Sequence, residues 1–184
     1  TASRKKRLYN PYCLSIFYVR LGAYSIINTV SICQNKKGNK VKMADIIVLS
    51  GRVNSGKTTT MRRLLDRVRR LPNVVVHLED INPAEDFIAV IEINGIRIGF
   101  ISNGDYLEIF ADQFGMINNS NIDVLICASR SRNTENSVYN FLFENLPQGN
   151  RVVLCLSTFP TNNLDMMSNN IIKAILLYLN EVYL

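Results

Sequence analysis

The 184-residue chain predicts an α/β fold: a three-layer α/β/α sandwich with a mostly parallel sheet and one antiparallel β-hairpin. Three observations carry this expectation. From residue 45 onward, short β-branched apolar runs alternate with segments of helical period. A glycine-punctuated turn, Gly51 to Thr58, stands between the first such run and the first helical stripe. Asn94-Gly95, the favoured two-residue type I′ turn, joins two further apolar runs.

The elements follow in order. Asp45 to Ser50 is a buried strand. Met61, Leu64, Leu65, Val68 and Leu71 then form one stripe of a helix running from about Lys57 to Arg70, which Pro72 stops. Its other side carries Arg62, Arg63, Arg67, Arg69 and Arg70, expected as a solvated face rather than a nucleic-acid stripe. Val74 to Leu78 is a second strand, with Glu79-Asp80 at its end and Asn82 to Asp86 as a loop. The Asn-Gly turn sets the hairpin register: Ile93 faces Ile96, Ile91 faces Ile98, Ala89 faces Phe100, and Glu92 meets Arg97. Tyr106 to about Met116 is a helix with Leu107, Phe110, Ala111 and Phe114 on one side. A strand from Ile122 to Ala128, a helix from Thr134 to Leu146 and a strand from Arg151 to Ser157 come next. Asn163 to Leu184 closes the chain as a helix with Met167, Ile171, Ala174, Ile175 and Tyr178 along its apolar side. The order is β-α-β-β-β-α-β-α-β-α.

Composition narrows the function classes. Hydrophobic content of 47% and charged content of 20% are globular values. The net charge of +6 is unevenly placed, because residues 1–42 hold nine Lys or Arg and no acid. Residues 43–184 therefore carry 12 basic and 15 acidic side chains, and the overall charge makes no case for nucleic-acid binding. Cys13, Cys33, Cys127 and Cys155 have no metal-ligand spacing and suggest no disulfide framework, which suits a cytoplasmic location. His77 is the sole histidine, so a His-led triad or His-based metal site is excluded.

The chain is expected to divide into a basic N-terminal extension, residues 1–42, and a globular domain, residues 43–184. Leu14 to Val19 is too short for a signal-peptide core, and Arg20 interrupts it; no membrane span is expected. Met43 stands directly before the first core strand, and Lys37-Gly38 is necessarily encoded by a purine-rich hexamer shortly upstream. The expectation is that Met43 is the natural start and residues 1–42 a translated leader.

Gly51-Arg52-Val53-Asn54-Ser55-Gly56-Lys57-Thr58 satisfies G-x-x-x-x-G-K-[ST] at every fixed position, between a strand and a helix. Such a loop lets successive backbone N–H groups converge on an anion, aided by the positive end of the new helix. The chain resembles the P-loop nucleoside triphosphatases, and that resemblance implies binding of ATP or another nucleoside triphosphate with Mg²⁺. It implies that residues 51–58 and Thr59 cradle the phosphates, that Lys57 reaches the β- and γ-phosphates, and that the Thr58 hydroxyl ligates Mg²⁺. Asp105 follows the second hairpin strand, where the resemblance places an acid that helps hold Mg²⁺; Glu79-Asp80 is the rival pair, and a helix cap the plain alternative at Asp105. Arg130 and Arg132, after the next strand, are candidates to neutralise phosphate charge.

The hairpin is similar to the switch-region hairpin of small GTPases, but Ile126-Cys127-Ala128-Ser129-Arg130 offers no N-K-x-D guanine motif, so ATP is the default. Arg52 and Thr58-Thr59-Thr60 faintly resemble partition-type ATPases, which would imply a homodimer with Arg52 reaching across it. The functions expected, in order, are a small NTPase, a small-molecule or nucleotide kinase with Glu79 and Asp80 at its acceptor, and a nucleotide-dependent interaction module with a protein partner. Deleting residues 1–42 is expected to leave the urea midpoint and nucleotide affinity unchanged, since no motif residue lies there. An unfolded or insoluble truncated protein would show that Tyr12 to Ile32 packs on the domain.

Overall fold

The computed structural model describes residues 45–81, 86–130, 137–145, 151–156 and 164–183. Residues 1–42 lie outside these. β1 (Asp45–Gly51), an interior strand of the sheet, is buried along its whole length. Both of its faces must meet apolar partners: Ile47 and Leu49 join one hydrophobic cluster, Ile46 and Val48 another. Both of its edges must be hydrogen-bonded as well. β1 runs parallel between β5 (Val124–Ser129) and β6 (Arg151–Leu156). Beyond β5 lie β4 (Ile96–Ile101), β3 (Phe87–Ile93) and β2 (Val74–Ile81), giving the order β2-β3-β4-β5-β1-β6. The fold is α/β, with a six-stranded, mostly parallel sheet; β3 alone runs against the other strands.

The hairpin pairs as the Asn-Gly turn dictates: Ile93 with Ile96, Ile91 with Ile98, Ala89 with Phe100, and Glu92 with Arg97. Asn94 and Gly95 both take positive φ, 52° and 84°. Arg97 Nε donates to Glu92 at 2.8 Å across the two strands. Two features of β2 differ from expectation. It pairs antiparallel with β3, because residues 82–86 are far too few for the dozen or more that a parallel crossover takes. It also runs on through Glu79 and Asp80, which therefore lie within the edge strand rather than past its end. A register shift between Val76 and Leu78 interrupts the ladder.

Four helices follow the expected order. α1 (Lys57–Val68) buries Met61, Leu64, Leu65 and Val68, and joins α4 (Leu164–Val182) in the cluster of Ile47 and Leu49. α2 (Leu107–Asn118) contributes Phe110 and Ile117 to the cluster of Ile46 and Val48. α3 (Val138–Asn140) adds Val138 to the same cluster, and the Ser137 hydroxyl caps it by accepting from Asn140 N–H. It continues as a π-helical turn, Phe141–Asn145. Phe141 meets Phe110 and Phe114 edge to face, at 5.8 and 6.0 Å between ring centres. Among the described residues, no helix is long and apolar enough to cross a membrane.

The arginine face of α1 is not simply solvated. Arg63 pairs with Asp165 at 2.6 Å, Arg67 donates to Asn169 at 2.7 Å, and both partners belong to α4. Arg69 pairs with Glu79 of β2, and the Arg62 guanidinium lies 5.5 Å from the centre of the Phe87 ring. At the far end of α4, the Tyr178 and Tyr183 hydroxyls both donate to the buried Asp45 carboxylate at the start of β1.

Two glycines admit close packing for different reasons. A Cβ on Gly104 would stand 2.6 Å from the Ala128 carbonyl carbon and oxygen, which are backbone and cannot swing away. A Cβ on Gly99 would meet the Ile117 Cδ1 at 2.9 Å, the free end of a flexible side chain. Gly104→Ala is therefore expected to cost ~1–3 kcal/mol in urea unfolding and Gly99→Ala less than about 1 kcal/mol. Equal midpoints for Gly104→Ala and the wild type would contradict the close approach.

Candidate functional site

The turn after β1 is built by local backbone chemistry. Asn54 and Gly56 adopt left-handed conformations, φ 57° and 82°. Gly56 sits at the N-cap of α1, where a Cβ would meet open space, so it is the φ angle that favours glycine. No side chain caps α1, and its first turn holds no acid, so its leading N–H groups and dipole face the turn unmet by a side chain.

Lys57 is only 8% exposed. Its ammonium donates to the Gly51 carbonyl at 3.1 Å and the Arg52 carbonyl at 2.9 Å. Burial pushes its pKa down; the Asp105 charge opposes this, Arg130 adds to it, and Asp86 opposes it. Ser55 is 1% exposed, and its hydroxyl has no hydrogen-bond partner among the described residues. A cavity of about 210 Å³ opens here, lined by Val53 to Thr59 on one side and by Asp86, Ser102, Gly104 and Asp105 on the other.

The second wall follows from strand direction. β4 ends at Ile101 on the same sheet edge as β1, which brings Ser102, Gly104 and Asp105 opposite the turn. β3 runs the other way, so its start reaches that edge too and carries Asp86 with it. Asp86 Oδ1 accepts from Thr58 Oγ1 at 3.1 Å and from Ser102 Oγ at 2.9 Å. Ser102 Oγ in turn accepts from Phe87 N–H at 2.7 Å. Asp105 is bonded differently: Arg130 Nε donates to its Oδ1 at 2.7 Å. That bond, with the Arg130 and Lys57 charges, holds the Asp105 carboxyl below the usual carboxylate range despite partial burial. Arg130 N–H donates to the Gly104 carbonyl at 3.3 Å, fastening the end of β5 to the end of β4.

The predicted residues are thus partly assembled. Val53, Asn54, Ser55, Gly56, Lys57, Thr58, Thr59 and Asp105 line one cavity, with Arg130 on the Asp105 carboxylate. Gly51 and Arg52 stand behind it and lend their carbonyls to Lys57, while the Arg52 side chain is exposed. Arg132 lies outside the described residues. Glu79 and Asp80 do not line the cavity, and Glu79 is engaged by Arg69. Asp105 does not cap α2: the Asn103 side chain accepts from Asp105 N–H and Tyr106 N–H, and the N-cap residue, Tyr106, makes no side-chain cap bond. Asp86 was not singled out by the sequence. Its signal was the short return from β2, which forces β3 to run backwards and delivers its first residues to the site.

The donor set fits a triphosphate and its cation: an uncapped helix start, a buried ammonium held by neutral carbonyls, a hydroxyl with no partner among the described residues, and two carboxylates lining the same cavity as Thr58. Mg²⁺ keeps most of its waters and takes one or two carboxylates plus phosphate oxygens. Among the described residues no group of three or more His, Cys, Asp or Glu side chains is placed to hold a metal. Neither a known family model nor a curated protein matches the chain.

The Asp105–Arg130 pair has a pH signature. Asp105 ionises more readily in the folded protein than at its unfolded value of ~3.9. Its stabilising contribution is present above that value and is lost as pH falls through the depressed folded one. Arg130→Gln is expected to make unfolding free energy less dependent on pH across the acid window, from about pH 5 down to about pH 2. Urea midpoints for variant and wild type that fall in parallel would show that the pair contributes nothing.

Proposed function

We propose that the chain is a small P-loop nucleotide-binding protein, a three-layer α/β/α sandwich that binds a nucleoside triphosphate, ATP by default, with Mg²⁺, and hydrolyses it. The observation that carries this is Lys57. A buried ammonium held by two neutral carbonyls is costly unless an anion compensates it. The uncapped start of α1 and the unpartnered Ser55 hydroxyl border the same cavity. The cavity is smaller than the ~300–1,000 Å³ of sites that engulf a drug-sized ligand. It suits the phosphates, with sugar and base outside.

In this reading, Lys57 exchanges its carbonyl partners for β- and γ-phosphate oxygens. The N–H groups from Asn54 to Thr59 hold the β-phosphate. Thr58 and Asp105 hold Mg²⁺, which, when bound, neutralises phosphate charge. Arg130 stands 2.7 Å from Asp105; releasing that carboxylate would free its guanidinium to meet charge developing on the γ-phosphate. In this reading water is the acceptor.

A second reading, a nucleotide-dependent interaction module, is favoured by α2. Tyr106, Ile109 and Met116 are exposed on the helix that begins beside Asp105. Movement of Asp105 on nucleotide binding would reach this surface directly.

Lys57→Ala is expected to weaken triphosphate binding by ~30-fold or more, since charged hydrogen bonds contribute ~1.5–3 kcal/mol each. Its urea midpoint should match or exceed the wild type's, because a buried charge is removed. Equal affinity for ATP in variant and wild type would rule out a phosphate site. Phosphate release with ATP and Mg²⁺, without any added acceptor, separates hydrolysis from binding alone.

A further inference from the structure

We propose that Asp86 is the direct carboxylate ligand of the cation in this site, and that Asp105 acts from behind it. The assignment rests on the nucleotide reading above but departs from the placement of the acid after β4. Asp86 immediately precedes the antiparallel strand β3, and four observations single it out.

The first is which carboxylate the Thr58 hydroxyl selects. Thr58 Oγ1 donates to Asp86 Oδ1 and not to Asp105. A hydroxyl that donates its one proton keeps lone pairs for a metal. The second is spacing. Ligands ~2.0–2.1 Å from Mg²⁺ in adjacent octahedral positions stand ~2.8–3.0 Å apart. Thr58 Oγ1 and Asp86 Oδ1 are 3.1 Å apart, so a cation can take both with almost no movement of either.

The third is charge. Asp105 already faces a guanidinium at 2.7 Å, whereas the hydrogen bonds to Asp86 come from two neutral hydroxyls. Both land on Oδ1, and none of the described residues donates to Oδ2. Asp86 is exposed at the cavity wall, so its negative charge stands where a cation can reach it. The fourth is independent of the acids. Ser55 lines the same cavity, is 1% exposed, and carries a hydroxyl with no partner among the described residues, a polar atom placed for a ligand.

Ser102 then becomes a positioning residue. Its hydroxyl is oriented by Phe87 N–H and holds Asp86 Oδ1 toward Thr58. Cation binding is thereby tied to the register between β3 and β4, since Phe87 opens one strand of the hairpin and Ser102 directly follows the other.

The test is thermodynamic linkage rather than turnover. The affinity of a fluorescent, non-hydrolysable ATP analogue is measured by titration in EDTA and again in millimolar Mg²⁺; the ratio is the magnesium-linked gain. Asp86→Asn should reduce that gain at least tenfold. Its affinity in EDTA should stay equal or rise, since a negative charge near the phosphates has gone. Asp105→Asn should reduce the gain by a smaller factor. Ser102→Ala should give an intermediate loss of gain, with EDTA affinity retained. A gain in Asp86→Asn equal to the wild type's overturns the assignment. So does a variant equally weakened with and without Mg²⁺, which would mark a structural role. Lys57→Ala distinguishes the two levels of failure: if it binds the analogue in EDTA as tightly as the wild type, the nucleotide reading fails and this assignment goes with it.

Discussion

A strand buried on both faces must find hydrogen bonds on both edges and apolar contacts above and below, and β1 is such a strand. Much else follows from meeting those demands at once. β5 and β6 must lie parallel beside it, helices must reach both sets of its side chains, and Asp45 at its buried start must find the Tyr178 and Tyr183 hydroxyls of α4. The glycine turn inherits its rigidity from this arrangement. Its first carbonyls, on Gly51 and Arg52, continue directly from the strand and give Lys57 its bonding partners. A loop of the same sequence on a frayed strand would have no fixed carbonyls to offer.

The features legible in the sequence are those encoded by neighbouring residues. The strand, turn and helix from 45 to 68 lie within one stretch, and the Asn94-Gly95 turn sets every pair of the hairpin because register propagates from the turn. What was not legible depends on partners far along the chain or on strand direction. Arg63 and Arg67 looked like solvent cations, and their partners, Asp165 and Asn169, lie on the last helix. Glu79 and Asp80 looked like the end of a strand because apolar alternation stops at Leu78; the edge position of β2 lets polar residues continue it. Asp86 looked like loop chemistry until the antiparallel course of β3 set it against Thr58.

The candidate site balances its charges by pairing them unequally. Lys57 is held by carbonyls, Asp105 by a guanidinium, and Asp86 by hydroxyls. A site with an ion pair on one flank and less compensated charges on the other is polarised before any ligand arrives. Under the proposed reading an anion would offset Lys57 and a cation would offset Asp86, two demands that a phosphate–metal complex would meet together.

The pairing of β1 with β6 has a consequence for how the protein is made. β1 is synthesised early, but one of its two neighbours comes from residues 151–156. Non-local parallel pairing forms slowly. On the ribosome, a nascent chain halted before residue 151 carries the entire Gly51–Thr58 turn on a strand with one edge open. That edge presents unpaired backbone N–H and C=O groups along a strand with apolar faces, a template for association with other chains. Completion of the turn's foundation thus waits on residues 151–156, and any ligand that bound only the native turn would draw the late-joining strand into place by mass action.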